Sequence, residues 1–208
     1  MNPPSPTAPP DWIALSRELK SIAEAGLRFT EGPYDRERYL RLHELSSLPM
    51  LHAAAPDFKW PQEFGYATPK VDVRAAVIDE HDRILLVQEA SSGEWTLPGG
   101  WADLNVSPSQ NTVKEVREES GMDVEVVKLI ACWDKDPQGH PRQPEHIYKL
   151  VFLCRITGGK LATSHETSGA DFFSADELPP LCPHRAARHY LDLAWQHARN
   201  PSLPTAFD

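Results

Sequence analysis

The chain has 208 residues, which is enough for one domain of ordinary size and a small additional domain. Hydrophobic residues make up 40% and charged residues 25%, a balance that excludes disorder along the whole chain. The formal net charge of −9 argues against a long nucleic acid as a general partner. No apolar run approaches membrane-spanning length and no basic start precedes one, so we expect a cytoplasmic protein with no membrane partner.

The first part of the chain predicts a tail followed by two helices. Residues 1–10 are rich in proline and are expected to be a disordered tail. Asp11 is a suitable N-cap for a helix that ends near Gly26. A second helix is predicted from about Asp35 to His52. The apolar side chains at helical spacing in the two helices are Trp12, Leu15, Leu19, Ile22 and Ala23, and then Leu42, Leu45 and Leu48.

These two helices are too small to form a core alone, so they must bury their apolar faces against the remaining chain or another subunit. We therefore expect residues 11–66 to form a helical N-terminal domain and linker, and the protein to be a homodimer. The linker carries four aromatic residues, namely Phe58, Trp60, Phe64 and Tyr66.

Residues 67–200 are expected to form the main domain, because the periodicity there changes from helical to strand-like. Two strands joined by a polar hairpin loop at 79–82 come first. Further strands are predicted at 124–132 and 147–156, with a turn at Gly158–Gly159 and a short strand around Phe172. A last helix spans about His184 to Arg199, and residues 201–208 are expected to be a loose tail.

A helix from about Pro108 to Ser120 carries the chemical signal. Ser107 and Gln110 form a capping box, and Gly121 is a natural C-terminal stop. Glutamates at 115, 118 and 119 stand at i, i+3 and i+4, so they share one face and repel each other. A divalent cation would reverse that repulsion, and Mg²⁺ prefers oxygen ligands of this kind. The alternative interpretation is a solvated acidic face.

The surrounding sequence resembles the box of the Nudix hydrolases, written G-x5-E-x7-R-E-U-x-E-E-x-G-U with U a bulky apolar residue. Aligned on Gly100, the chain matches seven of the nine defined positions. The matches are Gly100, Glu115, Val116, Glu118, Glu119, Gly121 and Met122. Leu97–Pro98 before the glycines and residues 176–179 downstream are also similar to the family.

Two positions depart from the box, since its first glutamate falls at Val106 and its arginine at Lys114. In the family these two side chains are understood to pair and to brace the loop against the helix. Valine cannot accept that hydrogen bond. The departure therefore predicts a less rigid loop, with the reaction class retained.

The resemblance extends from about residue 12 to 180 and is similar to a Nudix subgroup that hydrolyses X-linked nucleoside diphosphates. It implies an α+β fold, a Nudix α/β/α sandwich with a mixed sheet preceded by a small helical domain. It also implies Mg²⁺-dependent cleavage of a diphosphate in a small nucleotide, CDP-choline-like or ADP-ribose-like, giving a nucleoside monophosphate and a phosphorylated X. Mn²⁺ is an alternative cofactor.

The resemblance also implies the site residues. The metal ligands are expected to be the Gly100 carbonyl with Glu115, Glu118 and Glu119. One carboxylate of this cluster, or Glu166 on a late loop, would accept the proton from water, so Glu115, Glu119 and Glu166 are the catalytic candidates. The candidate phosphate contacts are Arg74 and Lys149, and the candidate base-stacking residues are Trp133 and Tyr148.

Two other interpretations remain open at this point. One is hydrolysis of an RNA end or of a dinucleotide. The other is a catalytically weak nucleotide sensor, suggested by Val106 and Lys114. Retention of all three helix glutamates argues against a sensor, because a protein that only binds a nucleotide has no need of them.

Overall fold

The computed structural model describes residues 10–52, 58–60 and 66–208. The described chain forms two compact units. The first contains the described residues up to Pro69 together with Arg142–His146, and the second contains Lys70–Pro141 and Ile147–Asp208. All but the last residue of the expected tail at 1–10, and Phe64 of the expected linker, lie outside the described residues.

The first unit begins with helix α1, Trp12–Phe29, and the Asp11 side chain caps it by accepting the Ala14 N–H at 3.1 Å. The helix continues past Gly26, where the sequence predicted its end. Gly26 is an interior packing residue, because the ring of Tyr39 occupies the space that a Cβ at this position would need. The glycine thus permits close contact with the next helix.

The single helix expected from Asp35 to His52 is two helices, α2 at Pro33–Ser46 and α3 at Leu48–His52. Pro49 explains the break, because it has no N–H to donate to the Leu45 carbonyl. The N–H of Ser47 instead turns back to the carbonyls of Glu44 and Leu45.

Helix α1 buries an ion pair and leaves part of its predicted apolar stripe exposed, whereas Trp12 and Leu19 of that stripe are half-buried. Its buried residues are Ser16, Lys20, Ala23 and Glu24. Lys20 and Glu24 form a buried ion pair at 3.0 Å, and His43 of α2 lies 3.6 Å from the Glu24 carboxylate. On the other face Leu15, Ile22 and Phe29 are exposed by 36%, 48% and 62%. The contact between α1 and α2 thus includes a buried polar group of three side chains.

The second unit has an α/β/α architecture, as expected from the sequence. Its elements in chain order are β1 Lys70–Val77, β2 Ile84–Glu89, β3 Trp95–Thr96, α4 Pro108–Ser120, β4 Met122–Asp134, a 3-10 turn Asp136–Gln138, β5 Ile147–Gly159, β6 Thr167–Phe173, α5 Arg188–Arg199 and β7 Ala206–Phe207. They form a mixed sheet of order β1-β5-β4-β7 and an antiparallel sheet of order β3-β2-β6.

Strands β1 and β2 do not form the hairpin expected around residues 79–82. A bridge between Ile78 and Ile84 closes the turn, but the two strands then enter different sheets. Strand β1 pairs in parallel with β5, and β2 pairs with β3 and β6. Asp82 takes a positive φ of 61° in this turn. The chain thereby crosses from one layer to the next.

Two apolar clusters fill the interior on opposite faces of the mixed sheet. Helix α4 contributes Val116 to one cluster, where it packs with Val73, Val77 and Phe152. Helix α5 contributes Tyr190 and its apolar neighbours to the other. The side chains of β1 point alternately to the two faces of the sheet, so they contribute to both clusters. This alternation fixes one layer on each side of the sheet.

The C-terminal part differs from the expectation at three places. Helix α5 begins at Arg188 instead of His184, and β5 runs through Gly158–Gly159, where a turn was predicted. The expected loose tail is ordered against β4, with β7 pairing in parallel at Ala131 and Cys132. Lys128 Nζ donates to the Leu203 carbonyl at 2.6 Å and Thr205 Oγ1 to the Leu129 carbonyl at 2.8 Å.

Removing residues 201–208 is expected to lower the free energy of unfolding by about 2–3 kcal/mol, since several hydrogen bonds worth about 1 kcal/mol each are lost. Urea denaturation followed by circular dichroism measures the change. Phe207→Ala is the matched control, because this side chain is 77% exposed while the backbone pairing of β7 remains. Equal stability of the truncated and full chains would contradict the β7 assignment.

Candidate active site

The loop that follows β3 is fixed along the free edge of β1. The Val73 N–H donates to the Gly100 carbonyl at 2.9 Å and the Ala75 N–H to the Pro98 carbonyl at 2.8 Å. Gly99, at φ +136°, lies so close to the Val73 carbonyl that a Cβ would collide with it. This loop can therefore approach β1 only with glycine at position 99.

Helix α4 follows this loop and ends as the sequence predicted. Ser107 and Gln110 form both halves of the capping box, and Gly121 takes the left-handed conformation at φ 73°. These two caps set where the helix starts and stops. They therefore fix where the glutamates lie along the helix.

Glu119 is the most buried of the three helix glutamates, with only 6% of the residue exposed. Its Oε2 accepts the Gly99 N–H at 2.7 Å. Burial raises the pKa of Glu119 to about 7, even though the Gly99 hydrogen bond acts in the opposite direction. The negative charges of Glu115 and Glu89 add to the increase. The positive charge of Arg74 acts in the opposite direction, together with the Gly99 hydrogen bond.

Glu115 faces the same loop one turn earlier. Its Oε2 lies 3.3 Å from the position that a Cβ on Gly100 would occupy. Burial raises the pKa of Glu115 as well. Glu115 and Glu119 therefore sit against Gly100 and Gly99 respectively, on one side of α4.

Glu118 is the exposed member of the three, and its charge adds to the effect of burial in raising the pKa of Glu115. Its role as a metal ligand stays a prediction. Its side chain is 58% exposed and pairs with Lys114 at 3.3 Å, one turn earlier on the helix. In the part of the chain that the structure describes, no three acidic, histidine or cysteine side chains are grouped closely enough to hold a metal. The exposed pair is weak, so a cation could compete for Glu118.

The loop is braced against α4 by contacts that the sequence analysis missed. Lys114 Nζ donates to Asp103 at 2.8 Å, so the acid lies at 103 instead of at the box position occupied by Val106. Asn111 is fully buried, accepts the Asp103 N–H at 3.2 Å and donates to the Trp101 carbonyl at 3.3 Å. Contacts other than the family's glutamate–arginine pair therefore join the loop to α4, and the lower rigidity of the loop stays a prediction.

Arg74 and Lys149, the expected phosphate contacts, are buried around Asp72. Arg74 donates to Asp72 at 3.1 Å and to the Leu97 carbonyl at 3.0 Å. Lys149 also binds Asp72 and donates to the Arg185 carbonyl at 3.2 Å. Burial lowers the pKa of Lys149 to about 8, and the charge of Arg74 acts in the same direction. A phosphate would have to compete with Asp72, so their role stays a prediction.

Of the two expected base-stacking residues, one is buried and the other is exposed. Trp133 is only 8% exposed and stacks on Tyr190 with ring centroids 4.8 Å apart, so it is a core residue and the stacking expectation is wrong. Tyr148 is 43% exposed, and its role stays a prediction. Trp101, which the sequence analysis overlooked, is 52% exposed directly after Gly100.

Glu166 lies on an exposed turn beside the end of α4. The next residue, Thr167, donates its hydroxyl to the Glu119 backbone carbonyl at 2.7 Å. The Glu166 carboxylate itself is 3.3 Å from the His165 ring. The role of Glu166 as proton acceptor stays a prediction.

Glu89 and Arg185 form an ion pair at 2.9 Å that the sequence analysis did not anticipate. Glu89 ends strand β2, and its side chain is only 13% exposed. The negative charge of Glu89 contributes to the raised pKa of both Glu119 and Arg74, so Glu89 lies beside the cluster. The only sequence signal was an acidic residue at the end of an apolar strand.

Comparison with known proteins agrees with this geometry. A family model described as the NUDIX domain matches residues 68–193, and one described as "UDP-X-like, N-terminal oligomerisation domain" matches residues 10–56. A Bacillus subtilis (strain 168) protein with the provisional name ADP-ribose pyrophosphatase YjhB is 42% identical over 202 residues, covering 95% of this chain and 97% of the relative.

Two solved structures are also similar. A UDP-X diphosphatase is 31% identical with a TM-score of 0.63, covering 95% of this chain and 98% of that one. An ADP-ribose pyrophosphatase from Streptococcus suis 89-1591 is 44% identical with a TM-score of 0.62, covering 68% of this chain and 100% of that one.

The α/β/α sandwich, with its glycine loop set against a glutamate helix, defines a hydrolase of phosphorus-containing anhydrides. The chain belongs to the Nudix family and is a Nudix pyrophosphohydrolase with an N-terminal domain of the UDP-X-like kind. Among its described helices, none has the length and apolar character needed to span a membrane.

Gly99→Ala is expected to lower both the melting temperature and kcat, kcat by at least about 10-fold, because the loop must move away from β1 and from Glu119. Gly139→Ala is the matched control. Gly139 also has a positive φ, 80°, but nothing lies within 4 Å of its added Cβ. Equal losses in the two variants, measured by thermal unfolding and steady-state kinetics, would contradict the close contact at Gly99.

Proposed function

We propose that the protein hydrolyses the diphosphate linkage of a nucleoside diphosphate joined to a second group X, in a Mg²⁺-dependent reaction. The products would be a nucleoside monophosphate and a phosphorylated X. The observation that carries the proposal is the placement of Glu115 and Glu119 against the Gly99–Gly100 loop, with burial raising the pKa of both carboxyls.

The donor set fits Mg²⁺, which is commonly bound through one or two carboxylates together with waters and substrate phosphates. Glu115 and Glu119 would supply the carboxylates. The Gly100 carbonyl accepts one hydrogen bond from Val73 and keeps a second lone pair for a cation. Rotation of Glu118 away from Lys114 would add a third carboxylate.

When bound, the cation would neutralise the diphosphate and lower the pKa of an attacking water. The chain's own residues would orient the ligands and accept the proton. Gly99 fixes the Glu119 carboxylate through its N–H, and the caps of α4 fix the helix that carries it. Glu115, Glu119 and Glu166 remain the candidate proton acceptors.

The substrate class follows from the relatives and not from the site alone. The N-terminal match is to a UDP-X-like domain, and two relatives carry the name ADP-ribose pyrophosphatase. These names favour a nucleoside diphosphate linked to a sugar such as ribose. A CDP-choline-like substrate, an RNA end and a dinucleotide belong in the same test panel as competitors.

Glu119→Gln is expected to lower kcat by at least about 100-fold, because an amide is a poorer cation ligand and cannot accept the proton. The fold should survive, since the amide oxygen can still accept the Gly99 N–H. Product release from ADP-ribose and UDP-sugars with Mg²⁺, with and without EDTA, measures the effect.

Glu125→Gln is the control, since Glu125 is exposed and pairs with Arg155 on the sheet. Near-native turnover by the Glu119 variant would disprove the metal assignment. Binding of nucleotides by the native protein without turnover of any panel member would support the sensor interpretation instead.

We further propose that the protein is a homodimer that pairs through α1. Leu15, Ile22 and Phe29 lie on one exposed face of this helix, while its buried face is polar. Burying each such apolar side chain is worth roughly 1.5–3 kcal/mol. A second copy of the chain offers the same face and would cover it across a two-fold axis.

Ile22→Asp is expected to shift the protein to monomer, because a charge in the interface would be desolvated. Light scattering across a concentration series measures the mass. Ala14→Asp is the control, since it adds the same charge at an exposed, small residue of α1. The control is expected to remain dimeric, and a dimer that persists in the Ile22 variant would exclude this face.

A further inference from the structure

Arg185 is held by its backbone in the segment between β6 and α5. Its N–H donates to the Cys182 carbonyl at 3.1 Å, and the Cys182 N–H donates to the Trp95 carbonyl at 2.8 Å. The Arg185 carbonyl in turn accepts Lys149 Nζ at 3.2 Å. The base of this side chain is therefore fixed by β3 and by a buried lysine of β5.

The guanidinium of Arg185 is only partly engaged by the protein. Its Nη1 contacts Glu89 Oε1 at 2.9 Å, and 45% of the side chain is exposed. A guanidinium carries five N–H donors in a planar fork. One ion pair to a single carboxylate oxygen leaves several of these donors for a planar or tetrahedral oxyanion.

Glu89 is the common neighbour of Arg185 and the carboxylate cluster. It pairs directly with Arg185, and in the pairing of β2 with β6 it lies opposite Thr167. The Thr167 hydroxyl donates to the Glu119 backbone carbonyl at 2.7 Å. Arg185 is therefore linked through Glu89 and β6 to the last turn of α4, which carries Glu119.

Several cations surround this border. Lys135 is 4% exposed, and its pKa is lowered by burial, with the positive charges of Arg74 and Arg185 adding to the decrease. Arg74 in turn lowers the pKa of Lys149, second to burial. These four cations influence one another, and the acids that act on them include Asp72, Glu89, Asp136 and Glu119. Arg185 is the half-exposed member of the four, so it is the one that a ligand can reach.

We propose that Arg185 binds a phosphate group of the substrate diphosphate, on the side away from the Glu115 and Glu119 carboxylates. The inference rests on the proposed function, since it assigns a contact within the same site. Arg185 forms charge-assisted hydrogen bonds to the phosphate oxygens while its Nη1 remains paired with Glu89. The buried Arg74 and Lys149 supply positive potential without leaving Asp72.

The test compares Arg185→Ala, Arg185→Lys and Arg188→Ala. Arg188 is a matched control on the neighbouring turn, with an exposed guanidinium paired to Asp192 at 2.8 Å. For Arg185→Ala, KM is expected to rise about 10- to 100-fold, the range of a hydrogen bond to a charged group, with kcat changed much less. Arg185→Lys should recover part of the loss, and Arg188→Ala should match the native enzyme.

A second measurement does not depend on turnover. Titration calorimetry with inorganic pyrophosphate and Mg²⁺ is expected to give binding at least about 10-fold weaker for Arg185→Ala than for Arg188→Ala. Equal binding by the two variants, or a native protein that binds no pyrophosphate, overturns the inference. Loss of kcat with unchanged KM and unchanged pyrophosphate binding also overturns it.

The two proposals fail in different ways. If the native protein hydrolyses no member of the panel but binds pyrophosphate through Arg185, the proposed function is wrong and the phosphate contact stands. If it hydrolyses a nucleoside diphosphate derivative and Arg185→Ala leaves KM and pyrophosphate binding unchanged, only the phosphate contact is wrong. Circular dichroism of each variant verifies that the fold is retained.

Discussion

The site depends on the hydrogen bond from the Gly99 N–H to the Glu119 carboxylate. This bond joins the loop to the last turn of α4, and the loop is itself tied to β1 through Gly100 and Pro98. A side chain at position 99 would collide with Val73. Loop, strand and helix are therefore positioned together, and the place of the carboxylates follows from a backbone constraint.

That constraint has an electrostatic consequence. Holding Glu119 against backbone excludes water from it, and the charges of Glu115 and Glu89 oppose its ionisation further. The positive charge of Arg74 acts in the opposite direction, although its guanidinium is hydrogen-bonded to Asp72. The cation proposed above would offset the repulsion between the carboxylates.

Local signals in the sequence predicted local structure well. The caps of α4 at Ser107 and Gly121 involve neighbours within a few residues, so its bounds were readable from spacing alone. Long-range contacts were not readable. The Asp103–Lys114 brace spans a loop, and the Arg185–Glu89 pair joins segments far apart in the chain. Neither leaves a periodic pattern, because a single ion pair constrains two positions and no others.

The amphipathic periodicity of the sequence also predicted α1, but it did not indicate what covers the apolar face of this helix. The buried Lys20–Glu24 pair turns the polar face inward, and this costs desolvation that only close pairing offsets. Leu15, Ile22 and Phe29 consequently remain outward. A helix that buries an ion pair and leaves three large apolar side chains exposed is unfavourable in an isolated chain. The same arrangement is favourable once a second apolar surface is present, so the orientation of α1 is itself an argument for assembly.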